Sequence, residues 1–439
     1  MIYNRKIEII FDKETKLILD DQSKKCNWLY NKLLDIARED YNNGNTLNLM
    51  SGRNLRDYVV KLKGENPFLY SVHSSPLKNV AIRLKDSYVR FFRGLSKIPH
   101  FRSYSQKWFS LYYDEANKGF KLKENKEIDI SLGKIKVEEK DKKGNIKEKE
   151  KQLHIKGNLK EKLIYNKNGK IKTFRLCKDK NRFYGVFTIE EPDKELKRTQ
   201  IKRWISIDQN HKNFFVGVDY KGETYEFERL YGETYFDKKI DLVKSKRDKC
   251  LKRAKEKITE YGNKYYIPSK RYKRLNLALQ RLYARRREQI KSNMYQIAHF
   301  LCKNYDEIII GNYVPSKEVA KFDTMRRSML NQSHIGEFRN ILKWVSEKSA
   351  KLCKIVDEKD TTKKCCVCGD IEKKPPEIRE FICKKCNSKI LRDVNSAINI
   401  ARKGNIEINI NDMILDKIVH IGKINRKTEN KISYKLQII

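Results

Sequence analysis

The chain lacks the features that would place it in a membrane or in the disulfide-rich secreted class. It has no run of about 18 apolar residues, and Met1–Lys6 do not form the apolar segment of a signal peptide. Five of the ten cysteines are scattered singly along the chain, which is typical of a reducing compartment. We therefore expect a soluble intracellular protein with no membrane partner, cytoplasmic in a prokaryote or nuclear in a eukaryote.

Acidic residues are scarce relative to basic ones. The chain has 57 Asp and Glu against 98 Lys and Arg, a formal net charge of +41. Such an excess would repel itself in a free globule, so it indicates a polyanionic partner, with nucleic acid first and an anionic membrane a distant second. A lysine-rich surface encoded by an AT-rich genome explains part of the lysine count, but it does not explain the shortage of acid. The 7 histidines show no ligand-like arrangement in the sequence, so they give no support for a histidine nuclease.

The apolar patterning predicts a multi-domain α+β protein, and 439 residues suffice for about two to four domains. Alternation predicts a first strand over residues 2–11, and helical spacing predicts a helical insertion over 20–94. We expect a β domain over 1–19 and 95–200, in which the highly charged residues 134–161 form an exposed hairpin or a mobile loop. The second half predicts these elements in order: a three-strand meander over 204–227, basic helix over 237–305, a strand over 307–310, a helix around 335–352 and a strand over 352–356.

Two close cysteine pairs near the C-terminus predict a structural zinc ribbon. Cys365-x2-Cys368 and Cys383-x2-Cys386 are separated by 14 residues, which is ligand spacing typical of tetrahedral Zn²⁺. Four thiolates close the coordination sphere, so the ion would have a structural role. Cys366 lies between two ligands and is interpreted as a bystander.

Two acidic residues far apart in sequence are candidates for one metal site. Asp208 ends the first strand of the meander, and Asp393 opens an apolar helix just after the second cysteine pair. The order of strands and helices from 204 onwards is that of an RNase H-like domain, whose strand-end and final-helix carboxylates hold two divalent ions. Oxygen ligands suit Mg²⁺. Taken alone, Asp208 could be a turn residue, and Asp393 could be the N-cap of its helix.

The C-terminal half resembles the RuvC nuclease domain of the TnpB proteins of insertion sequences. The resemblance rests on three features in order along the chain: Trp204–Asp208, the cysteine pairs and Arg392–Asn399. Fanzor proteins and miniature type V CRISPR effectors are related to that family. The N-terminal half is more weakly similar to the family's pattern, in the segments Asn27–Asn31, Phe91–Gly94 and Pro99–Arg102. The resemblance implies a β-barrel-like wedge domain over 1–19 and 95–200 with a helical recognition domain over 20–94. It also implies an RNase H-like RuvC domain over 201–360 and 388–439, with the zinc ribbon over 361–387 inserted.

The resemblance implies an RNA-guided DNA endonuclease with two catalytic Mg²⁺ ions, one structural Zn²⁺, a guide RNA, and a double-stranded DNA target with a short flanking motif. One position departs from the family: the middle motif is a strand ending in glutamate, whereas here the strand ends in Gly311. Glu358, at the end of the next strand, is the replacement we expect to join Asp208 and Asp393. Glu337 is a poorer candidate.

Two other functions remain open from the sequence. A nuclease-dead, RNA-guided DNA-binding repressor would explain the missing glutamate, and a DNA transposase could use the same fold. The residues we expect to contact nucleic acid are basic side chains in the wedge, long helical and RuvC segments, namely Arg102, Lys107, Arg285, Arg286 and Arg392. For Arg392, an exposed surface position without such a role is an equally open reading.

Overall fold

The computed structural model describes most of the chain and divides it into two compact units, Met1–Asp193 and Lys194–Ile439. The described residues are 1–103, 109–140, 146–179, 182–193, 202–210, 213–230, 233–258, 262, 264–314, 334–375, 378–410, 417–421 and 435–438. The architecture is a mixed α/β, multi-domain one, as the sequence predicted. Among these residues no helix is both long and apolar enough to cross a bilayer.

Unit 1 is a seven-stranded sheet with a group of helices inserted after its first strand. Its elements are β1 (Ile2–Ile10), α1 (Lys13–Asn42), α2 (Thr46–Met50), α3 (Gly52–Glu65), a 3-10 turn (Pro67–Ser71), α4 (Ser74–Phe92), β2 (Ser110–Tyr113), β3 (Phe120–Lys123), β4 (Glu127–Lys140), β5 (Ile146–Leu159), β6 (Lys170–Asp179) and β7 (Arg182–Glu190). The strand order is β2-β6-β7-β1-β5-β4-β3. The predicted charged hairpin is confirmed, because β4 and β5 pair antiparallel.

The helical insertion begins where the sequence supplies a cap. Asp12 accepts a hydrogen bond from the Thr15 backbone N–H at 2.7 Å, which satisfies a donor that the first turn of α1 would otherwise leave unpaired. Leu29, Leu33 and Ala37 follow at helical spacing and are fully buried. The buried face holds α1 against α4.

Unit 2 is built on a second seven-stranded sheet. Its elements are β8 (Trp204–Gln209), β9 (Phe215–Asp219), β10 (Thr224–Phe227), α5 (Glu233–Lys252), β11 (Lys255–Ile258), β12 (Lys264–Ile267), α6 (Lys270–Asn304), β13 (Glu307–Gly311), α7 (Ile335–Lys348), β14 (Leu352–Val356), β15 (Glu380–Ile382), β16 (Lys389–Leu391), α8 (Arg392–Lys403), β17 (Lys417–Ile421) and β18 (Lys435–Ile438). The order β14-β13-β8-β9-β10-β17-β18 places the parallel strands β14, β13 and β8 side by side. Their carboxyl ends therefore lie at one edge of the sheet.

The prediction of continuous helix over 237–305 is wrong in its middle. A two-stranded antiparallel hairpin, β11 with β12, separates α5 from α6. Pro268 disfavours helix in the residue before it, and Ser269 then caps α6 by accepting from the Tyr272 backbone N–H at 3.1 Å. The first strand, Lys255–Ile258, is mostly charged and the second, Lys264–Ile267, reads Lys-Tyr-Tyr-Ile, so neither shows the apolar alternation that predicts a strand.

An ion cluster fixes the entry to β8 and β13. Asp306 accepts hydrogen bonds from Arg203 Nε at 3.1 Å and Arg203 Nη2 at 3.0 Å, and from Lys351 Nζ at 2.7 Å. These cations, with the Arg203 hydrogen bond the largest influence, hold the pKa of Asp306 well below its usual value. The cluster joins the start of β8 to the residues that precede β13 and β14.

Replacing Asp306 by asparagine is expected to lower the free energy of unfolding by about 1–2 kcal/mol near neutral pH, after discounting for the exposed Arg203. The folded chain keeps Asp306 ionised where the unfolded chain, with a pKa of about 3.9, takes up a proton. The contribution is therefore full above that pKa and is lost as the pH falls through the lower, folded value. Denaturant unfolding at pH 7 and at pH 3 measures this difference.

The control variant is Asp86→Asn, whose carboxylate pairs with neighbouring Lys85 and has a side chain 58% exposed. That variant is expected to unfold like the wild type. A loss for Asp306→Asn that is as large at pH 3 as at pH 7 would contradict the electrostatic origin of the effect.

Candidate functional site

Asp208 lies near the carboxyl end of β8, at the sheet edge shared by the parallel strands. It is 6% exposed, and α8 packs against β8 beside it. Its carboxylate is hydrogen-bonded to Ser396 of α8. Burial raises the pKa of Asp208 well above its usual value, and the negative charges of Glu358 and Asp393 raise it further. Asp208 and Asp393, which are 185 positions apart in sequence, are thus close enough to interact.

Asp393 is the second residue of α8. The alternative that it caps this helix is wrong, because Leu391 occupies the cap position and no side chain caps the helix. Asp393 Oδ2 instead accepts hydrogen bonds from Asn210 Nδ2 at 3.3 Å and from Arg379 Nη1 at 3.4 Å. Its carboxylate therefore faces the end of β8, in the first turn of α8, where the helix dipole favours negative charge.

Glu358 follows β14 by two residues, and its backbone N–H donates to Asn312 Oδ1 at 3.2 Å. Burial raises the pKa of Glu358 to about 7, against the opposing positive charge of Arg339. Its Oε1 is buried and has no hydrogen-bond partner among the described residues. A buried carboxylate oxygen without a donor is costly, so this atom fits a ligand that the polypeptide itself does not supply.

The three carboxylates form a negative cluster that nearby cations offset only in part. Arg379 pairs with Asp393 at 3.4 Å, and the positive charges of Arg339 and Arg392 act on Glu358 and Asp208 respectively. The mutual effect of the carboxylates on the pKa of Asp208 disfavours full ionisation unless a cation is bound. All the donors are carboxylate oxygens, the ligand type that Mg²⁺ prefers. The residues present therefore fit a divalent metal centre.

Three neighbours of this cluster were not identified from the sequence. Arg379 reaches Asp393 from just before β15, within the cysteine-rich segment. Arg339 of α7 donates to the carbonyl oxygens of Gly311 at 3.1 Å and Tyr313 at 2.7 Å. Burial raises the pKa of Tyr313, and the charges of Glu358 and Asp208 add to this. The sequence carries no periodic or motif signal for these three side chains, because each reaches the site from a different loop or helix.

The four cysteines predicted as ligands come together in the structure. The sulfur atoms of Cys365, Cys368, Cys383 and Cys386 all lie within 4.8 Å of one another, close enough to coordinate one ion. Cys365 and Cys383 are buried around Phe381, while the other two sulfurs are at the surface. Hydrogen bonding from Ser388 lowers the pKa of Cys386 to about 6, which favours the thiolate that a metal requires.

The cysteine segment is joined to the helix that carries Asp393. Asn395 and Asn399, one turn apart on α8, donate to the Lys364 carbonyl at 2.9 and 2.7 Å. Asn395 Oδ1 also accepts from the Cys366 backbone N–H at 2.8 Å. Both asparagines are at least 96% buried, so these bonds are shielded from water. The position of Asp393 therefore depends on the fold of the cysteine segment.

The basic residues expected to contact nucleic acid fall into different surroundings. Arg102 stacks its guanidinium 3.6 Å from the Tyr30 ring centre and donates to Asn27 Oδ1 at 3.1 Å. Burial lowers its pKa to about 10. The backbone N–H of Arg102 donates to Asn31 Oδ1 at 2.8 Å, which joins the motif Pro99–Arg102 to the motif Asn27–Asn31. These contacts hold the Arg102 side chain within unit 1. A contact between Arg102 and a nucleic-acid phosphate stays a prediction.

The other predicted contacts are also untested. Arg285 is exposed on α6, and Arg286 pairs with Asp237 at 2.9 Å. Arg392 is half-buried, donates to the Pro375 carbonyl at 3.3 Å, and lowers the pKa of Asp208 through its charge. Lys107 lies outside the described residues.

Comparison with known families supports the resemblance drawn from the motifs. Residues 336–400 match the family described as the Cas12f1-like TNB domain. A segment of 154 residues is 30% identical to a TnpB-like protein of Acanthamoeba polyphaga mimivirus, covering 34% of this chain and 29% of that protein. A protein of the same virus, named as a candidate transposase, is 27% identical over 263 residues, which is 52% of each chain. The chain spans about half or less of these curated relatives.

The fold is similar to that of the protein in the cryo-EM structure of a Cas12f1–sgRNA–target DNA complex. The TM-score is 0.59, with 15% identity, over 89% of this chain and 83% of that one. At this identity the likeness shows the fold alone. The family match over residues 336–400 and the viral relatives support the similarity to TnpB proteins that the sequence motifs indicated.

Proposed function

We propose that this TnpB-like protein is an RNA-guided DNA endonuclease that hydrolyses target phosphodiesters in a RuvC-like, two-metal site. The observation that carries the proposal is the electrostatic interaction of Asp208 with Glu358 and Asp393 at one sheet edge. In addition, the buried Glu358 Oε1 has no hydrogen-bond donor among the residues that the structure describes. Asp208, Glu358 and Asp393 would be the ligands of the metal ions. Bound Mg²⁺ would supply activation of the attacking water and stabilisation of the leaving 3′ oxygen.

The protein's own side chains would orient the cleaved strand. Arg379 forms an ion pair with Asp393, and the positive charge of Arg392 lowers the pKa of Asp208. Both guanidinium groups are therefore near the carboxylates without neutralising them fully. Guanidinium is well suited to a phosphate oxygen, and either arginine could hold the scissile phosphate. The product would carry a 3′-hydroxyl. The four thiolates would hold one Zn²⁺, which would fix the α8 segment that bears Asp393.

Sequence specificity would come from pairing between a guide RNA and the target strand, while the protein would read a short flanking duplex motif. The net charge of +41 is in keeping with binding of both polymers. Unit 1 would provide the wedge domain, with its inserted helices as the recognition domain. Unit 2 would provide the RNase H-like RuvC domain and the zinc ribbon.

The test is to purify the protein with its bound RNA, sequence that RNA, and supply a DNA library that carries the matching target beside randomised flanks. We expect Mg²⁺-dependent cleavage of a subset of flanks, abolished by EDTA. Guided binding without cleavage would instead favour the repressor, the alternative that Gly311 raises. Absence of bound RNA together with strand transfer on transposon ends would favour a transposase.

A further inference from the structure

The end of β13 has an unusual steric feature at Gly311. A Cβ atom placed on this residue would lie 1.9 Å from Glu358 Oε1 and 2.2 Å from Glu358 Cδ. Such distances are far inside van der Waals contact. The Glu358 side chain therefore occupies the volume that any side chain at position 311 would need.

The sheet order explains why that volume matters. Glu358 follows β14, Gly311 ends β13, and Asp208 is on β8, so β13 lies between the two carboxylates. Strands two places apart are separated by about 10 Å. A side chain from β14 can approach Asp208 only by passing over the end of β13. At Gly311 that strand presents no side chain to obstruct it.

We propose that Gly311 is a positioning residue: its missing side chain holds open the space through which Glu358 reaches across β13 to the metal carboxylates. The inference rests on the proposed function in one respect, the role of Glu358 as a ligand. It adds that residues 311 and 358 share a single volume, so the identity of one limits the other. Gly311 itself contacts no metal.

The surrounding backbone is held firmly enough for this steric relation to persist. Gly311 pairs with Val356 across the parallel strands, and the Asn312 backbone N–H donates to the Val356 carbonyl at 2.9 Å. Arg339 binds the Gly311 carbonyl from the helix side. The strand end therefore cannot easily yield to an added methyl group, whereas the flexible Glu358 side chain can.

The contrast with another glycine shows why substitution here should disturb the site rather than the fold. At Gly133 an added Cβ would meet backbone atoms, with the Tyr70 carbonyl oxygen at 1.9 Å, so the fold itself would have to shift. At Gly311 the nearest atoms all belong to one flexible side chain, namely Oε1, Cδ and Cγ of Glu358. Alanine at 311 is expected to push the Glu358 carboxylate away and to leave the strand in place.

The experiment measures Mn²⁺ binding by electron paramagnetic resonance on the full chain, with Asp208→Ala supplying the background from ions bound elsewhere. Gly311→Ala is expected to weaken site-specific Mn²⁺ binding by about tenfold, the scale seen when a positioning group of a metal ligand is lost. Glu358→Ala should weaken it as much or more. The matched control is Gly336→Ala in α7, where an added Cβ meets nothing within 4 Å, and it should bind like the wild type.

The double variant Gly311→Ala/Glu358→Ala separates positioning from general damage. If the glycine acts through Glu358, the double variant should bind Mn²⁺ no more weakly than Glu358→Ala alone. Multiplicative losses would overturn the inference, as would wild-type binding by Gly311→Ala beside impaired Glu358→Ala. Wild-type protein that binds Mn²⁺ in this pattern but cuts no DNA with its RNA would overturn the proposed function and leave the positioning role standing.

Discussion

Replacing Asp208 by asparagine is expected to reduce guided DNA cleavage by about three orders of magnitude, because loss of a proposed metal-binding carboxylate would remove several kcal/mol of transition-state stabilisation. Asparagine keeps the shape of the side chain and its contact with Ser396, so the fold should be retained. The pKa of Asp208 is raised by burial first and by the charges of Glu358 and Asp393 second, so the neutral amide removes a charge that the metal-free chain disfavours. The variant should therefore be at least as resistant to unfolding as the wild type when no divalent ion is present.

Guided DNA binding should survive this substitution, since the change removes no positive charge and no nucleic-acid contact. Cleavage rate under single-turnover conditions and target affinity by filter binding measure the two properties separately. Asp219→Asn is the matched control. Asp219 is 2% exposed at the end of β9, and it pairs across the sheet with Ile205, at the far end of β8 from Asp208. Cleavage that survives Asp208→Asn, or that is lost equally in Asp219→Asn, would contradict the assigned site.

Replacing Cys383 by serine is expected to reduce the zinc content from about one ion per chain to less than roughly a tenth, because the folding of structural zinc modules depends on the complete thiolate set. The Cys383 sulfur is buried beside Phe381, so a serine hydroxyl there would replace an apolar packing contact as well as a ligand. Cleavage should fall at least about tenfold, since outer groups that position a metal ligand commonly have that effect.

The loss of cleavage follows from the contacts between the cysteine segment and α8. Asn395 and Asn399 donate hydrogen bonds to the Lys364 carbonyl oxygen. If the cysteine segment became disordered, these bonds would be lost and the helix that carries Asp393 would no longer be held in position. Zinc is measured by inductively coupled plasma mass spectrometry on the purified chain. Cys250→Ser on α5, outside the cysteine cluster, is the control and should retain one zinc ion and full cleavage. A full complement of zinc in Cys383→Ser would contradict the assignment.

The parts of the site that could be predicted from the sequence are those with local signals. The cysteine pairs have a spacing fixed by tetrahedral coordination, and the sulfurs do cluster. Asp208 ends an apolar run and Asp393 opens an apolar helix, so the pattern marked both positions even though only the fold could bring them together. The suggestion that Glu358 replaces the missing glutamate stays a prediction. Its side chain does lie over Gly311, on the path to Asp208.

The parts that could not be predicted depend on contacts between distant segments. The reach of Glu358 depends on the register of β13 with β14, which no single segment encodes. The charge of Arg102 predicts a phosphate contact, yet its guanidinium stacks on Tyr30 and donates a hydrogen bond to Asn27. No sequence pattern marks Arg379, although this side chain contacts Asp393 from the cysteine segment. Charge alone does not reveal whether an arginine faces solvent, an aromatic ring or a carboxylate.

The most direct test of the metal centre is anomalous diffraction from crystals of the wild-type protein grown with Mn²⁺. We expect two anomalous peaks about 4 Å apart, both within bonding distance of Asp208 or Asp393 and one contacted by the Glu358 carboxylate. A single zinc peak among the four cysteines should appear in the same crystal at the zinc edge. Mn²⁺ peaks absent from these three carboxylates, at concentrations that support cleavage, would contradict the account.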